Sequence, residues 1–302
     1  MPSNQPAISV VIATRNRAGI LQRCLDAVAR IPFGRSRFEV VVVDNASEDS
    51  TRGVVERERA RGRMDIRLAR CPVVGLARAR NQGAAEARGE AVVFLDDDGF
   101  PARGWLAGFH RALVEERRPV AQGRVLPLFE TPPPRWLTED CFPAYGGVDE
   151  GDRPGPLAGD MVGCNMGARA EVFQALGGFR EELGHGGTGL GEDTDFGIRA
   201  RKAGCQPAYA PDALIRHFIP ARRTTRAAFL RRSWASGLSQ PLMRDYPEPT
   251  LRVLASLVRQ SAQRLALGLF ASSPSNQMRQ WANTAEHAGR ASQILRQRWR
   301  AG

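Results

Sequence analysis

Lysine is nearly absent from this 302-residue sequence: Lys202 stands alone among 43 basic residues, and the others are arginine. A lone lysine outside any G-x-x-x-x-G-K-[ST] run excludes a P-loop. No G-x-G-x-x-G follows the first apolar segment, which excludes a dinucleotide fingerprint there. Cysteine is sparse. Cys24, Cys71, Cys141, Cys164 and Cys205 are scattered and form no C-x-x-C, so neither a disulfide framework nor a zinc ribbon is expected, and a reducing cytoplasmic setting fits best. No stretch reaches the ~18 apolar residues of a membrane-spanning helix. The opening MPSNQPAISVV shows neither the basic start nor the apolar run of a secretory signal. Tyrosine and phenylalanine do not alternate with arginine, so no stacking platform for nucleic acid is expected. From Arg216 onward, fifteen arginines meet only Asp245, Glu248 and Glu286, while residues 1–215 are close to neutral. Hydrophobic residues make up 42%, enough for the full core of a large α/β domain with appendages.

The densest local signal is Val92-Val93-Phe94-Leu95-Asp96-Asp97-Asp98, an apolar strand that runs into three consecutive carboxylates. Each pair of such charges about 4 Å apart repels by on the order of 1 kcal/mol in water, and by more where partly buried. A hard divalent cation, Mg²⁺ or Mn²⁺, relieves that repulsion and suits oxygen ligands. Strand alternation predicts Asp96 and Asp98 on one side and Asp97 on the other.

Around this run the pattern alternates. Short β-branched runs at 8–13, 38–44, 65–69 and 90–96 predict strands, and helical spacing is read between them. The first intervening segment carries Leu21, Leu25 and Val28 on one face, and the next two helices are expected at 47–60 and 76–87. The order βαβαβαβ, with strands apolar on both faces, predicts a mostly parallel sheet covered by helices. Ligands of such sheets bind beyond the carboxyl ends of the strands. Thr14, Arg15, Asn16, Asp44, Asn45 and the Asp cluster all fall there. Residues 127–160 are rich in Pro, Gly and acid and read as a functional or mobile loop. A strand-like stretch at 161–169, helices at 170–176 and up to Lys202, and three arginine-rich helices near 224–237, 248–270 and 275–299 follow. Two parts are expected, 1–218 and 219–302.

ISVVIATRNRAGIL, VVVDNASEDST, GLARARNQGAAEARGEAVVFLDDD, GCNMGARAEVFQALGGF and GEDTDFGIRARKAG occur in that order. Together they resemble the GT-A fold of the family 2 glycosyltransferases over roughly residues 7–218. The resemblance implies a Rossmann-like catalytic domain, a nucleotide-sugar donor of UDP or dTDP type and a divalent metal. It also implies transfer with inversion to a glycan, lipid-linked or small-molecule acceptor. By the same likeness Asp44 would accept the N3–H of the base, with helix capping as its alternative, and Thr14 and Asn16 would line base and ribose. Arg17 and Arg80 would meet the diphosphate, Arg78 competing with Arg80, because guanidinium binds phosphate oxygens in pairs. Asp98 would bind the metal, with Asp96 on the ribose or sharing the metal, and His217 would add a ligand. Asp193 would be the general base and Glu192 would position the acceptor or hold the loop. A helix start favours their ionised forms, and simple capping is the alternative reading. Asn165, in GCNMGA, is the polar candidate for the donor-sugar pocket. Trp136 and Trp105 are read as packing residues or sugar platforms. A binding protein without catalysis is the competing class, against which both acid motifs argue. The basic tail reads as a helical cover or as a peripheral contact with the inner membrane face, where each basic residue adds roughly 1 kcal/mol. Leu251, Leu254, Leu257, Val258, Leu265 and Leu269 give its middle helix an apolar side.

Overall fold

A computed structural model describes residues 5–243, 251–271 and 273–301. Its first half follows the expected alternation: β1 (Ile8–Thr14), α1 (Ala18–Val28), β2 (Phe38–Asp44), α2 (Thr51–Arg61), β3 (Asp65–Arg70), α3 (Leu76–Ala85) and β4 (Ala91–Leu95). Then come β5 (Gly99–Pro101), α4 (Trp105–His110), β6 (Val120–Phe129), β7 (Gly155–Pro156), β8 (Asn165–Arg169) and α5 (Ala170–Ala175). The chain closes with α6 (Glu192–Lys202), β9 (Ala208–Ile219), α7 (Arg226–Met243), α8 (Leu251–Leu269) and α9 (Pro274–Ala301).

The strands lie in the order β3-β2-β1-β4-β8-β6-β9-β5, with β7 beside β9. The first four are parallel, joined by the crossover helices α1, α2 and α3. Beyond β4 the direction changes: β8 is antiparallel to β4, with Leu95 opposite Asn165, and β6 is antiparallel to β8. The sheet is therefore mixed, and the mostly parallel expectation holds for its first four strands. Successive residues of a strand serve opposite cores. Val10 and Ile12 pack with Leu21 and Leu25 of α1, while Val11 and Ala13 pack with Ala77 and Ala79 of α3. Val40 to Val43 are wholly buried, each side chain contributing roughly 1.5–3 kcal/mol against exposure. Helix α3 lies close on the sheet because of Gly83, where a Cβ would clash with Val11 and come 2.8 Å from Val43 Cγ2.

Helix α2 starts at Thr51 rather than 47 because the turn before it is held by side chains. Asp44 Oδ1 accepts the Ser47 N–H at 3.0 Å, and Asp49 Oδ1 accepts the Thr51 N–H at 3.0 Å. The other oxygen of Asp49 accepts the Ala18 N–H at 2.9 Å, so one carboxylate serves the starts of α1 and α2.

The chain divides into two compact units: Met1–Pro127, Gly146–Glu181 and Glu192–Phe218, and Leu128–Tyr145, Glu182–Gly191 and Ile219–Gly302. The second thus takes in 128–145 and 182–191 besides the region after 218. Its core includes Trp136, Tyr145, Phe229 and Met278. Trp136 is buried 5.3 Å from the Phe229 ring, so it packs rather than offering a sugar platform. On α8, Leu257 is buried while Val258, Leu265 and Leu269 are exposed, as is the following Phe270. The side chains of Leu251 and Leu254 lie outside the described residues. No helix among the described residues is long and apolar enough to cross a membrane.

Candidate active site

The carboxyl ends of β1, β2 and β4 sit side by side, because Thr14 pairs with Asp44 in the β1–β2 register and β4 flanks β1. Asp44 is buried, its Oδ1 holding the turn to Ser47. Asn16 faces the same turn: its N–H donates to Ser47 Oγ at 3.0 Å and its Oδ1 accepts the Glu48 N–H at 2.7 Å. Asn45 ties this rim to the next loop, donating to the carbonyls of Cys71 and Val73 and accepting the Gly75 N–H.

The three aspartates stand in a turn rather than on the strand, which ends at Leu95, and the Gly99 N–H closes it onto the Asp96 carbonyl at 2.9 Å. The turn still separates them. Asp97 accepts from Thr14 Oγ1 at 2.7 Å and from Arg17 Nη1 at 2.8 Å. Asp96, Asp98 and His217 each present one ligand atom, all within 4.8 Å of one another. Strand pairing brings in the histidine: β5 lies antiparallel to β9 with Gly99 opposite His217, and the Phe218 N–H donates to the Asp98 carbonyl at 2.9 Å.

Asp98 Oδ1 is fully buried and, although 3.1 Å from His217 Nε2, lacks a well-aligned hydrogen bond. A buried carboxylate oxygen facing an imidazole, with a second carboxylate beside it, is a donor set that fits a hard or borderline divalent cation. Burial works against the charge of Asp98, yet the contact with His217, backed by Arg17, holds its carboxyl below the ordinary range. Burial lifts Asp97 instead, up to about 7, against the pull of Arg17. Arg17, expected on a diphosphate, spans Asp97 and Asp98 with its two terminal nitrogens at 2.8 and 2.7 Å and stays about one-third exposed.

Two expectations change. Arg80 does not stand open at the pocket: it is 3% exposed and bridges Asp96 Oδ1 at 2.5 Å and Glu192 Oε1 at 2.7 Å. Arg78 pairs with Glu181 on the surface at 2.6 Å. Asn165 is wholly buried and makes three side-chain hydrogen bonds. It accepts from Trp105 Nε1 at 2.7 Å and donates to the carbonyls of Arg124 and Ala213 at 2.9 and 2.7 Å. It therefore braces β8 against its neighbours and offers nothing to a sugar, and Trp105 is buried with it.

Helix α6 starts on the acid pair. Burial, then the neighbouring Asp193 charge, pushes Glu192 up to about 7, while Arg80 pulls the other way. Asp193 is half-buried. Its Oδ2 accepts the Gly163 N–H and its Oδ1 the Thr194 N–H, both at 2.7 Å. Asp195 turns inward to Arg199 and Arg180 and takes no part in the rim. Gly163 and Gln122 escaped the sequence reading. Gln122 is buried and holds the Val162 N–H and the Asn165 carbonyl, fixing the loop that presents Gly163. Glycine and glutamine have no chemistry that singles them out.

The fold defines a class of architecture: it is the GT-A arrangement of solved glycosyltransferases. A mannosyltransferase from Pyrobaculum calidifontis, solved with GDP-Man and Mn²⁺, aligns over 97% of this chain and 88% of its own with TM-score 0.67 and 21% identity. Staphylococcus aureus TarS (residues 1–349), solved with UDP-GlcNAc, aligns over 97% and 91% with TM-score 0.57 and 15% identity. In sequence, the succinoglycan biosynthesis protein ExoM of Rhizobium meliloti (strain 1021) is 28% identical over 244 residues, 78% of this chain and 75% of that protein. The pre-mycofactocin glycosyltransferase of Mycobacterium tuberculosis is 28% identical over 255 residues, 82% of this chain but only half of that protein. The family model described as glycosyl transferase family 2 matches residues 9–177, more than half of the sequence. The chain belongs to glycosyl transferase family 2.

Proposed function

We propose that this chain transfers a sugar from a UDP- or dTDP-type nucleotide-diphosphate sugar to an acceptor hydroxyl, with inversion. The observation that carries the reading is the convergence of Asp96, Asp98 and His217 beyond the strand ends. These three would hold Mg²⁺ or Mn²⁺, which when bound would neutralise charge on the departing nucleotide diphosphate. Asp44 Oδ1 is engaged with Ser47, leaving Oδ2 to accept the base N–H. Thr14 and Asn16 line the same rim, and Arg17 needs only to rotate off Asp97 to offer its guanidinium to phosphate oxygens.

Asp193 takes the acceptor proton. It is the less buried of the acid pair, and the Gly163 N–H orients its carboxylate. Glu192, behind it, holds the helix start on Arg80. A single displacement then suffices, with base and leaving group on opposite sides of the anomeric carbon. The acceptor is a glycan, a lipid-linked saccharide or a small molecule. The reaction belongs in the cytoplasm, in keeping with five free cysteines. Peripheral contact with an anionic membrane face is assigned to α8 and the residue after it, where Val258, Leu265, Leu269 and Phe270 are exposed in an arginine-rich region.

Thermal-shift screening of UDP-, dTDP- and GDP-sugars with and without Mn²⁺, followed by a donor-hydrolysis assay, tests this. Metal-dependent stabilisation with turnover supports the enzyme, stabilisation without turnover a binding protein, and no stabilisation by any nucleotide sugar refutes the donor reading.

A further inference from the structure

We propose that Arg80 is a positioning residue, a rigid strut that sets the separation between the carboxylate after β4 and the acid pair opening α6. The inference rests on the glycosyltransferase reading above. Segments far apart in sequence meet on one guanidinium, Nη2 donating to Asp96 Oδ1 at 2.5 Å and Nη1 to Glu192 Oε1 at 2.7 Å. A planar fork that holds two carboxylates fixes their orientation as well as their distance, which the single rotating charge of lysine does not.

The surroundings lock the fork. Arg80 is buried, and its Cζ lies over the Phe179 ring, 5.7 Å from the centroid. Gly163 closes another side: a Cβ there would come 2.5 Å from Nη1 and 2.9 Å from Cζ. The N–H of the same glycine donates to Asp193 Oδ2. One loop residue therefore touches the strut and aims the base, so Arg80, Gly163 and the Glu192-Asp193 pair move together or not at all. Asp96 belongs to the donor side of the reaction and Asp193 to the acceptor side. Holding both to one guanidinium keeps nucleophile and leaving group in line, the alignment a single displacement needs.

Two variants test the strut. Arg80→Lys keeps the charge and loses the fork; Gly163→Ala keeps Arg80 and crowds it. Calorimetry with UDP and Mn²⁺, or GDP where wild type prefers it, reads donor-side binding, and steady-state transfer reads kcat. The strut predicts nearly unchanged nucleotide affinity in both variants, with kcat down on the order of 10²-fold, the scale of a misplacement near 1 Å. Adding Glu192→Gln to Arg80→Lys should cost little more, since the two residues act through one another. Gly163→Ala carries the test alone where Arg80→Lys does not fold: crowding the buried fork should lower its melting temperature, yet it should still bind nucleotide with near wild-type affinity. Parallel loss of nucleotide affinity and kcat would mean that Arg80 serves donor binding, on the diphosphate or through Asp96, and unchanged kcat in both would mean that the fork only fills space. Either result overturns the proposal. Wild-type protein that binds neither nucleotide would instead refute the donor reading on which the strut depends.

Discussion

Replacing Glu192 by glutamine should change how stability depends on pH. Three carboxylates, Asp96, Glu192 and Asp193, surround the single charge of Arg80, which cannot compensate them all, and burial makes Glu192 the one that keeps its proton. Its carboxyl is lifted from 4.5 to about 7. The folded protein then holds this proton more tightly than the unfolded chain does. The resulting stabilisation is fully present below pH 4.5 and is lost as pH rises through about 7. At about 1.4 kcal/mol per pH unit, the loss amounts to about 3 kcal/mol. Urea unfolding of wild type and Glu192→Gln at intervals from pH 5 to 8 reads the effect, because groups remote from Arg80 cancel in the difference. Wild type should lose stability relative to the variant by up to about 3 kcal/mol, mostly before pH 7.5. A pH-independent difference would show that Glu192 is not lifted. A difference that grows in favour of wild type with pH would show that Arg80 holds it ionised.

Other expectations follow from the same geometry. Asp193→Asn should leave nucleotide binding nearly intact and cut transfer by about 10²-fold or more, the scale of a lost general base; near-normal turnover in a transfer assay would remove it from that role. Gly83→Ala should destabilise by roughly 1–3 kcal/mol in urea unfolding, because the added methyl meets Val11 and Val43 on a well-packed sheet; an unchanged midpoint would show that α3 can shift freely. Leu265→Glu with Phe270→Glu should weaken co-sedimentation with anionic vesicles, and raised salt should weaken it further, since attraction between exposed charges is screened within about 8 Å at physiological ionic strength. Absence of vesicle binding by wild type at low salt would leave those side chains without a lipid role.

Three of the four parallel strands, β1, β2 and β4, are legible because burial on both faces leaves an uninterrupted apolar run such as FEVVVVD, which only a covered sheet tolerates. The reversal at β8 was not, because strand direction depends on which edge a distant segment meets, and Asn165 opposite Leu95 leaves no local trace. Two polar positions stand differently in the structure from what the family likeness implies. An asparagine beside small residues suits a sugar pocket and a buried brace equally well, and only the tryptophan and two carbonyls around Asn165 decide between them. Arg80 likewise carries the chemistry of a phosphate ligand, but burial between two carboxylates gives it another task. The start of α2 was misplaced because Asp44 and Asp49 hold the preceding turn by side-chain bonds that no helical periodicity registers. The association of His217 with Asp96 and Asp98 came from family likeness, and the physical agent that brings them together is the β5–β9 pairing.

The most direct measurement is sugar release or transfer from the preferred nucleotide sugar as Mn²⁺ or Mg²⁺ is titrated into metal-stripped wild type and Asp98→Asn. The exchange removes a charged ligand without changing shape, at a carboxylate oxygen buried without an aligned hydrogen bond. Turnover that vanishes in EDTA, returns with metal in wild type and stays low in Asp98→Asn is the result predicted here. Equal turnover of both proteins, undiminished by EDTA, would contradict the assignment of Asp96, Asp98 and His217 as the metal centre of this enzyme.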